Sequence, residues 1–161
     1  MPARDQLRID PLAGSLVREV AAREPTARRA LARCKVFMAP ETTDKVVNNA
    51  MSKGDVLATA RAAGIQAAKR AAELLPMCNL VLVGATTVSF EFGDDYIEVE
   101  VSVETVDRTG VEMEALTGCT VAALTIYDMC KSQDRSMFIS EVALWEKSGG
   151  RSGSWRRDPP I

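Results

Sequence analysis

The 161-residue chain predicts an α+β fold with the element order β-α-β-β-α-β. Residues 54–75, rich in Ala, Leu, Lys, Arg and Glu, predict a long helix, and 111–131 predict a second. Residues 97–104 alternate strictly between apolar and polar side chains, which is typical of a half-buried antiparallel strand. Together with further strand-like runs, this order is the ferredoxin-like motif, an antiparallel sheet with helices packed on one face.

The first half of the chain supplies one strand and the first long helix. Alternating side chains at 33–38 predict a strand, which Pro40 ends. A short helix is expected at 41–50. The long helix begins after Asp55, a suitable N-terminal cap, and Pro76 stops it.

The second half supplies the remaining strands around the second helix. Residues 80–92 are dense in Val, Thr and Phe, and the Gly-Asp-Asp sequence at 93–95 predicts a turn into the alternating strand. The last strand is predicted at 137–147, and it ends at the Ser-Gly-Gly sequence at 148–150.

Chain length and the positions of prolines and glycines predict one domain. We expect an irregular segment at 1–27, a single α+β domain at 28–150 and a flexible tail at 151–161. No apolar stretch reaches the length of a transmembrane helix, and the N-terminus does not resemble a signal peptide. The four cysteines form no Cys-x-x-Cys pair, so we expect a cytoplasmic protein with reduced thiols.

Charge and the absence of histidine restrict the function further. The formal net charge is -2, with basic ends around an acidic middle, which argues against a general nucleic-acid binder. We therefore expect neither a nucleic-acid nor a membrane partner. Because the chain contains no histidine, mechanisms with an imidazole base or a histidine metal ligand are excluded, and no metal site is predicted.

Charged residues near the predicted helix ends are candidates for chemistry. Lys53 precedes a helix start, where backbone N–H groups favour anions, although a surface lysine is the ordinary interpretation. Asp128 and Lys131 lie three residues apart on one helix face. They form either a surface salt bridge or, if they face a cleft, an acid–base couple. The loop at 147–153 combines glycines, serines and two cations, a composition that suits a phosphate loop or a floppy tail.

Two carboxylates at the start of the second helix raise a question of distance. Glu112 and Glu114 stand two residues apart, so they do not share a helix face. Glu114 and Asp128 are separated by about 21 Å if one straight helix contains both. Either Glu114 lies before the helix, or the two acids belong to different pockets or subunits.

Three longer strings of residues carry a family resemblance. They are Lys-Gly-Asp-Val-Leu-Ala-Thr-Ala-Arg at the start of 53–70, Thr-Gly-Val-Glu-Met-Glu-Ala-Leu-Thr at 109–117 continued by 121–131, and Lys-Ser-Gly-Gly-Arg-Ser-Gly at 147–153. In this order, the chain resembles the cyclic pyranopterin monophosphate synthase family of molybdenum cofactor biosynthesis, over about residues 28–153. The resemblance implies a homohexamer, built as a trimer of dimers, with active sites between subunits. It also implies a cyclised guanosine triphosphate substrate, 3',8-cyclo-7,8-dihydro-GTP, which is converted to cyclic pyranopterin monophosphate and diphosphate.

The same resemblance implies a role for individual residues. Lys53 and Lys131 are the implied acid–base lysines, and Asp128 is an implied active-site acid. We expect no cofactor, and whether magnesium arrives with the triphosphate stays open. The implied substrate-binding residues are Met77, Cys78 and Asn79, with Glu112, Met113 and Glu114 at the pterin end and Lys147, Arg28 and Arg151 at the phosphates.

The chain departs from the family pattern at the positions where the family has histidines. The family usually has Leu-Cys-His-Pro where this chain has Met-Cys-Asn-Leu at 77–80, and His-His where it has Met51 and Ser52. Asn79 forms hydrogen bonds but does not titrate, and loss of a general acid–base group typically costs roughly 10² to 10⁴ in rate. Two alternatives therefore stay open: a paralogue that acts on a different cyclised nucleotide, and a non-catalytic ligand-binding or structural subunit of the same fold.

Overall fold

The computed structural model describes residues 20–159, and its fold is a five-stranded antiparallel sheet with helices. The strand order in the sheet is β2-β3-β1-β4-β5. The mixed α+β fold is as predicted. The elements are β1 Thr26–Phe37, α1 Pro40–Val47, α2 Val56–Ala68, α3 Ala71–Leu74, β2 Ala85–Phe92, β3 Tyr96–Asp107, α4 Glu112–Cys130, β4 Phe138–Ser148 and β5 Trp155–Arg156.

The core lies between α2, α4 and one face of the sheet. Four apolar side chains of the alternating strand β3 are fully buried on this face, as their spacing predicts: Ile97, Val99, Val101 and Val103. Helices α2 and α4 cross where two glycines meet. A Cβ on Gly118 would lie 2.9 Å from the carbonyl oxygen of Gly64, so the glycines let the two backbones approach closely.

The other sheet face carries charged side chains, as the polar positions of β3 predict. Arg33 on β1 pairs with Glu100 on β3 at 2.7 Å, and Lys35 pairs with Glu141 on β4 at 2.8 Å. The Arg33 guanidinium also lies 4.7 Å from the ring centre of Trp145. In the described chain no helix packs against this face.

Several element boundaries differ from the predicted ones, most of all at β1, the first long helix and β2. Strand β1 begins at Thr26 rather than at 33. The single helix predicted at 54–75 ends as α2 at Ala68, and α3 follows as a separate short helix. Leu75 is extended, as expected for a residue before proline, so Pro76 does end the helical region.

The strand predicted at 80–92 begins only at Ala85. Its first apolar residues do not pair with a strand, and the Leu80 and Leu82 side chains are each 85% exposed. This segment runs beside the end of β3, where the Thr105 hydroxyl donates a hydrogen bond to the Leu82 carbonyl. The predicted strand is therefore too long at its start.

The last strand of the described residues lies beside β4. Within the segment predicted as a flexible tail, Trp155 and Arg156 pair with Lys147 and Glu146 as strand β5. The predicted irregular segment 1–27 lies mostly outside the described residues. The domain boundaries at 28 and 150 stay predictions.

Candidate functional site

Charged residues form two clusters at opposite ends of α4. Both Glu114 and Asp128 lie within this helix, so the interpretation that placed Glu114 before the helix is wrong. Along the helix the two acids are about 21 Å apart. The remaining interpretation is that they belong to different pockets or subunits.

The first cluster, at the end of α4, consists of Lys53, Asp128 and Lys131. The Lys131 amine lies 2.7 Å from Asp128 Oδ1, and the Lys53 amine donates a hydrogen bond of 3.0 Å to the Asp128 backbone carbonyl. Lys53 reaches this place from the turn before α2, whose start is capped by the Asp55 carboxylate accepting from the Ala58 N–H. The structure thus brings together all three residues predicted to be catalytic.

In this lysine–aspartate cluster, electrostatics keep the Asp128–Lys131 pair charged. The hydrogen bond from Lys131, its charge and the charge of Lys53 hold the pKa of Asp128 below its usual value. The same hydrogen bond raises the pKa of Lys131. Because both side chains are mostly exposed, the ion pair contributes little to folding stability. Its chemical consequence is that Lys131 holds its proton and Asp128 stays ionised at neutral pH.

The second cluster, at the start of α4, consists of Cys78, Glu112, Glu114 and Lys147. The Lys147 amine lies 3.2 Å from Glu112 Oε1 and neutralises that carboxylate. Glu114 is only 3% exposed, and the Cys78 thiol donates to its Oε1 over 3.7 Å. Burial raises the pKa of Glu114, and burial with the nearby Glu114 raises the pKa of Cys78 to about 11. Glu114 is therefore a buried carboxyl group that holds a proton more readily than an exposed one, while Cys78 remains a thiol.

The apolar residues predicted beside this cluster are accessible. Met113 on the first turn of α4 is 42% exposed, and Met77 is 39% exposed. Asn79 is half-buried, and its backbone carbonyl is 3.6 Å from the Cys78 sulfur. The segment around Asn79 thus runs beside the second cluster, although the Asn79 side chain makes no hydrogen bond within the described chain.

Arg28 lies under the glycine turn that follows β4. A Cβ on Gly150 would collide with the Arg28 guanidinium in its present position. Gly150 also has a positive φ of 75°, a backbone conformation that favours glycine. Arg28 Nη2 donates to the Arg108 carbonyl at 3.4 Å, but its Nε is buried and has no partner among the described residues. An unpaired guanidinium N–H favours an anionic ligand.

Arg28 and Arg151 line one cleft. Its volume is about 630 Å³, and Arg23 also lines it. Nothing in the sequence pattern singled out Arg23, because it becomes a neighbour of the glycine turn only in the fold. Three arginines around one cleft can bind phosphate groups. The complete lining is Ala22, Arg23, Glu24, Thr26, Arg28, Gly150, Arg151 and Ser152.

Across 20–159, no three Cys, Asp or Glu side chains are grouped as metal ligands would be. In the same range, no helix is long and apolar enough to cross a membrane.

Known proteins are similar to this sequence over most of its length. Residues 17–150 match the MoaC family. "Cyclic pyranopterin monophosphate synthase 3" of Mycobacterium bovis is 54% identical over 140 residues, 86% of this chain and 79% of the relative. The proteins named cyclic pyranopterin monophosphate synthase in Chloroflexus aggregans and Thermomicrobium roseum are 47% and 52% identical. Those alignments cover 96% and 87% of this chain, and 95% and 86% of the relatives.

The fold is of the mixed α+β class, and its lysines and carboxylates form two clusters beside a cleft lined by arginines. The match over 17–150 identifies its kind more closely. The chain belongs to the MoaC family.

Proposed function

We propose that this chain is a lyase of molybdenum cofactor biosynthesis that converts 3',8-cyclo-7,8-dihydro-GTP to cyclic pyranopterin monophosphate and diphosphate. The observation that carries the proposal is the identity of 47% to 54% with relatives named as this synthase, over most of the chain. The charged clusters support it, because a triphosphate needs cations and the rearrangement needs groups that move protons.

We infer that the arginine cleft binds the diphosphate that leaves when the cyclic phosphate forms. A substrate hydroxyl attacks the α-phosphorus and loses its proton, while the bond to the departing diphosphate breaks. Negative charge builds up on that diphosphate, and nearby cations stabilise it. We assign this task to Arg28, Arg151 and Lys147. A magnesium ion that arrives with the triphosphate would be held mainly by phosphate oxygens, as is usual for this cation.

The lysine–aspartate cluster supplies the proton transfers. Since its pKa is raised, Lys131 begins as a proton donor, and ionised Asp128 fixes its amine. Lys53 is the second acid–base group, because it reaches the same helix end. We assign the pterin end of the substrate to the two glutamates of the second cluster, Glu112 and Glu114. Met113, Met77 and Asn79 lie beside them.

We further propose that the chain acts in the cytoplasm as a homohexamer, a trimer of dimers. A small substrate cannot reach two clusters about 21 Å apart on one helix. Each active site therefore combines the lysine–aspartate cluster of one subunit with the second cluster of a neighbour. Light scattering that gives a monomer at all usable concentrations would contradict this assembly.

Single-turnover formation of cyclic pyranopterin monophosphate tests the reaction. We expect wild type to form the product and Lys53→Ala to reduce the rate by at least about 10². Assembly of Lys53→Ala should be unchanged, because Lys53 is exposed and lies outside the core. Asn79→His should raise turnover if the missing imidazole limits the rate.

The absence of histidine favours one second candidate, a paralogue that acts on a different cyclised nucleotide. Asn79 would then read the altered base through its amide. If wild type forms no product, and restoring histidine at 51, 52 and 79 together with Leu80→Pro also yields none while nucleotide still binds, the synthase proposal fails. The paralogue or a non-catalytic binding subunit then replaces it.

A further inference from the structure

We propose that Gln133 is a positioning residue for Lys53, because it ties the turn at 51–54 to the end of α4 and so fixes the lysine amine beside Asp128. The role of Lys53 in turnover rests on the proposed function. The positioning contact itself does not, and the two are tested separately below.

The Gln133 side chain uses both ends of its amide. Its Nε2 donates a hydrogen bond of 3.1 Å to Ser52 Oγ, and its Oε1 accepts one of 3.1 Å from the Lys45 amine. The lysine can only donate, so a flipped amide would turn its NH₂ group toward another donor. The two partners therefore fix one orientation, in which the amide N–H points at the turn.

The backbone that carries Gln133 is itself fixed. The Gln133 N–H donates to the Cys130 carbonyl at 3.0 Å, which continues the end of α4. The next residue, Asp134, is 8% exposed and accepts a hydrogen bond of 2.8 Å from the Ala39 N–H at the start of α1. The Gln133 side chain thus projects from backbone that is held in place by hydrogen bonds.

The turn at 51–54 needs such a contact. Met51 is 5% exposed and anchors one end of the turn in the core, and the Gly54 N–H donates to the Met51 carbonyl at 3.2 Å. Ser52 and Lys53 project from it into solvent. Among residues 20–159, the other hydrogen bond from this turn to the end of α4 is the one that the flexible Lys53 side chain donates to the Asp128 carbonyl.

Kinetics test the consequence for turnover. Gln133→Met keeps the length of the side chain and removes both hydrogen bonds. We expect its single-turnover rate to fall about tenfold with substrate affinity unchanged, since misplacement of a reacting group acts on the chemical step. Ser52→Ala should cause the same loss. The double variant should lose no more rate than either single variant, because both single changes remove the same hydrogen bond between Gln133 and Ser52.

Chemical labelling tests the positioning without any turnover. In the assembled protein, limited acylation of lysines is followed by peptide mass spectrometry, with exposed Lys69 as the internal reference. We expect Gln133→Met to speed labelling of Lys53 about fivefold relative to Lys69, as expected for loss of one hydrogen bond. Unchanged relative labelling, or additive rate losses in the double variant, would overturn the inference. Faster labelling in a protein that forms no product even as wild type would support the contact and reject the synthase reaction.

Discussion

At the scale of single residues, Asp134 joins two distant parts of the chain. Its buried carboxylate accepts hydrogen bonds from the Ala39 N–H at 2.8 Å, from the Thr42 hydroxyl at 3.0 Å and from the Ser136 N–H at 2.9 Å. Burial pushes the pKa of Asp134 upward, but the hydrogen bonds outweigh it and lower the pKa to about 2. The ionised form therefore holds α1 to the turn after α4.

This shift predicts an acid-sensitive contribution to stability. The folded-state pKa lies below the unfolded one, so the stabilisation is present above about pH 4 and is lost as the pH falls toward 2. We expect Asp134→Asn to lower the free energy of unfolding by about 1–3 kcal/mol at pH 7 and by less at pH 3. Urea unfolding followed by circular dichroism measures both. Asp44→Asn, at an exposed position of α1, is the matched control, and an equal loss at both pH values would contradict the interpretation.

Contacts between neighbours in sequence were predictable, and contacts made by the fold were not. The spacing of Asp128 and Lys131 predicts their ion pair, because residues three apart share a helix face. The approach of Lys53 to Asp128 was expected only from the family resemblance. Gln133 and Arg23 gave no signal, since a lone polar residue in a turn has no pattern that names its partner.

At the scale of elements, the crossing of α2 and α4 sets the position of both clusters. The Lys53 turn leads into α2, and α4 carries the acids, so the distance between the helices decides whether the Lys53 amine reaches Asp128. At the crossing, a Cβ on Gly118 would meet backbone at 2.9 Å, and backbone cannot rotate away as a side chain can.

We therefore expect Gly118→Ala to be destabilising, although alanine favours helices. Overpacking of this kind costs about 1–3 kcal/mol, more than the gain of about 1 kcal/mol in helix propensity. Thermal unfolding should show a lower midpoint, and the single-turnover rate of the folded protein should fall as Lys53 moves away. A midpoint equal to or above that of wild type would mean that the helices separate without cost.

The elements also show where apolar patterning is a sufficient guide. Strict alternation predicted β3 because every second side chain is buried against the helices. The apolar run at 80–83 gave a false strand start, because a run of this kind does not reveal whether a neighbour is present. Partners of β2 begin at Ala85, which pairs with Glu104.

At the scale of the whole molecule, two clusters on opposite ends of one helix predict complementation between subunits. Lys53→Ala disables one half of a shared site and Lys147→Ala disables the other. Each homohexamer should be nearly inactive. In hexamers co-assembled from equal amounts of both chains, about a quarter of the sites combine two intact halves if mixing is random.

The measurement is single-turnover product formation by the mixed hexamers, isolated with two different affinity tags. Mixtures of separately assembled homohexamers that do not exchange subunits are the control and should stay inactive. If the co-assembled protein is also inactive, each site lies within one chain, and the shared-site proposal is wrong.

Helix α4 also limits where residues can be inserted into or deleted from the chain. Between Glu114 and Asp128, one inserted residue would rotate one cluster against the other by about 100° and lengthen the helix by about 1.5 Å. Four inserted residues would nearly restore the facing but would add about 6 Å. In the proposed trimer of dimers, one helix would contribute to two active sites, so neither change could be absorbed at one site alone. Insertions and deletions are therefore expected to be tolerated at the turn 93–95 or after Ser152. Inside α4 they are expected to abolish activity.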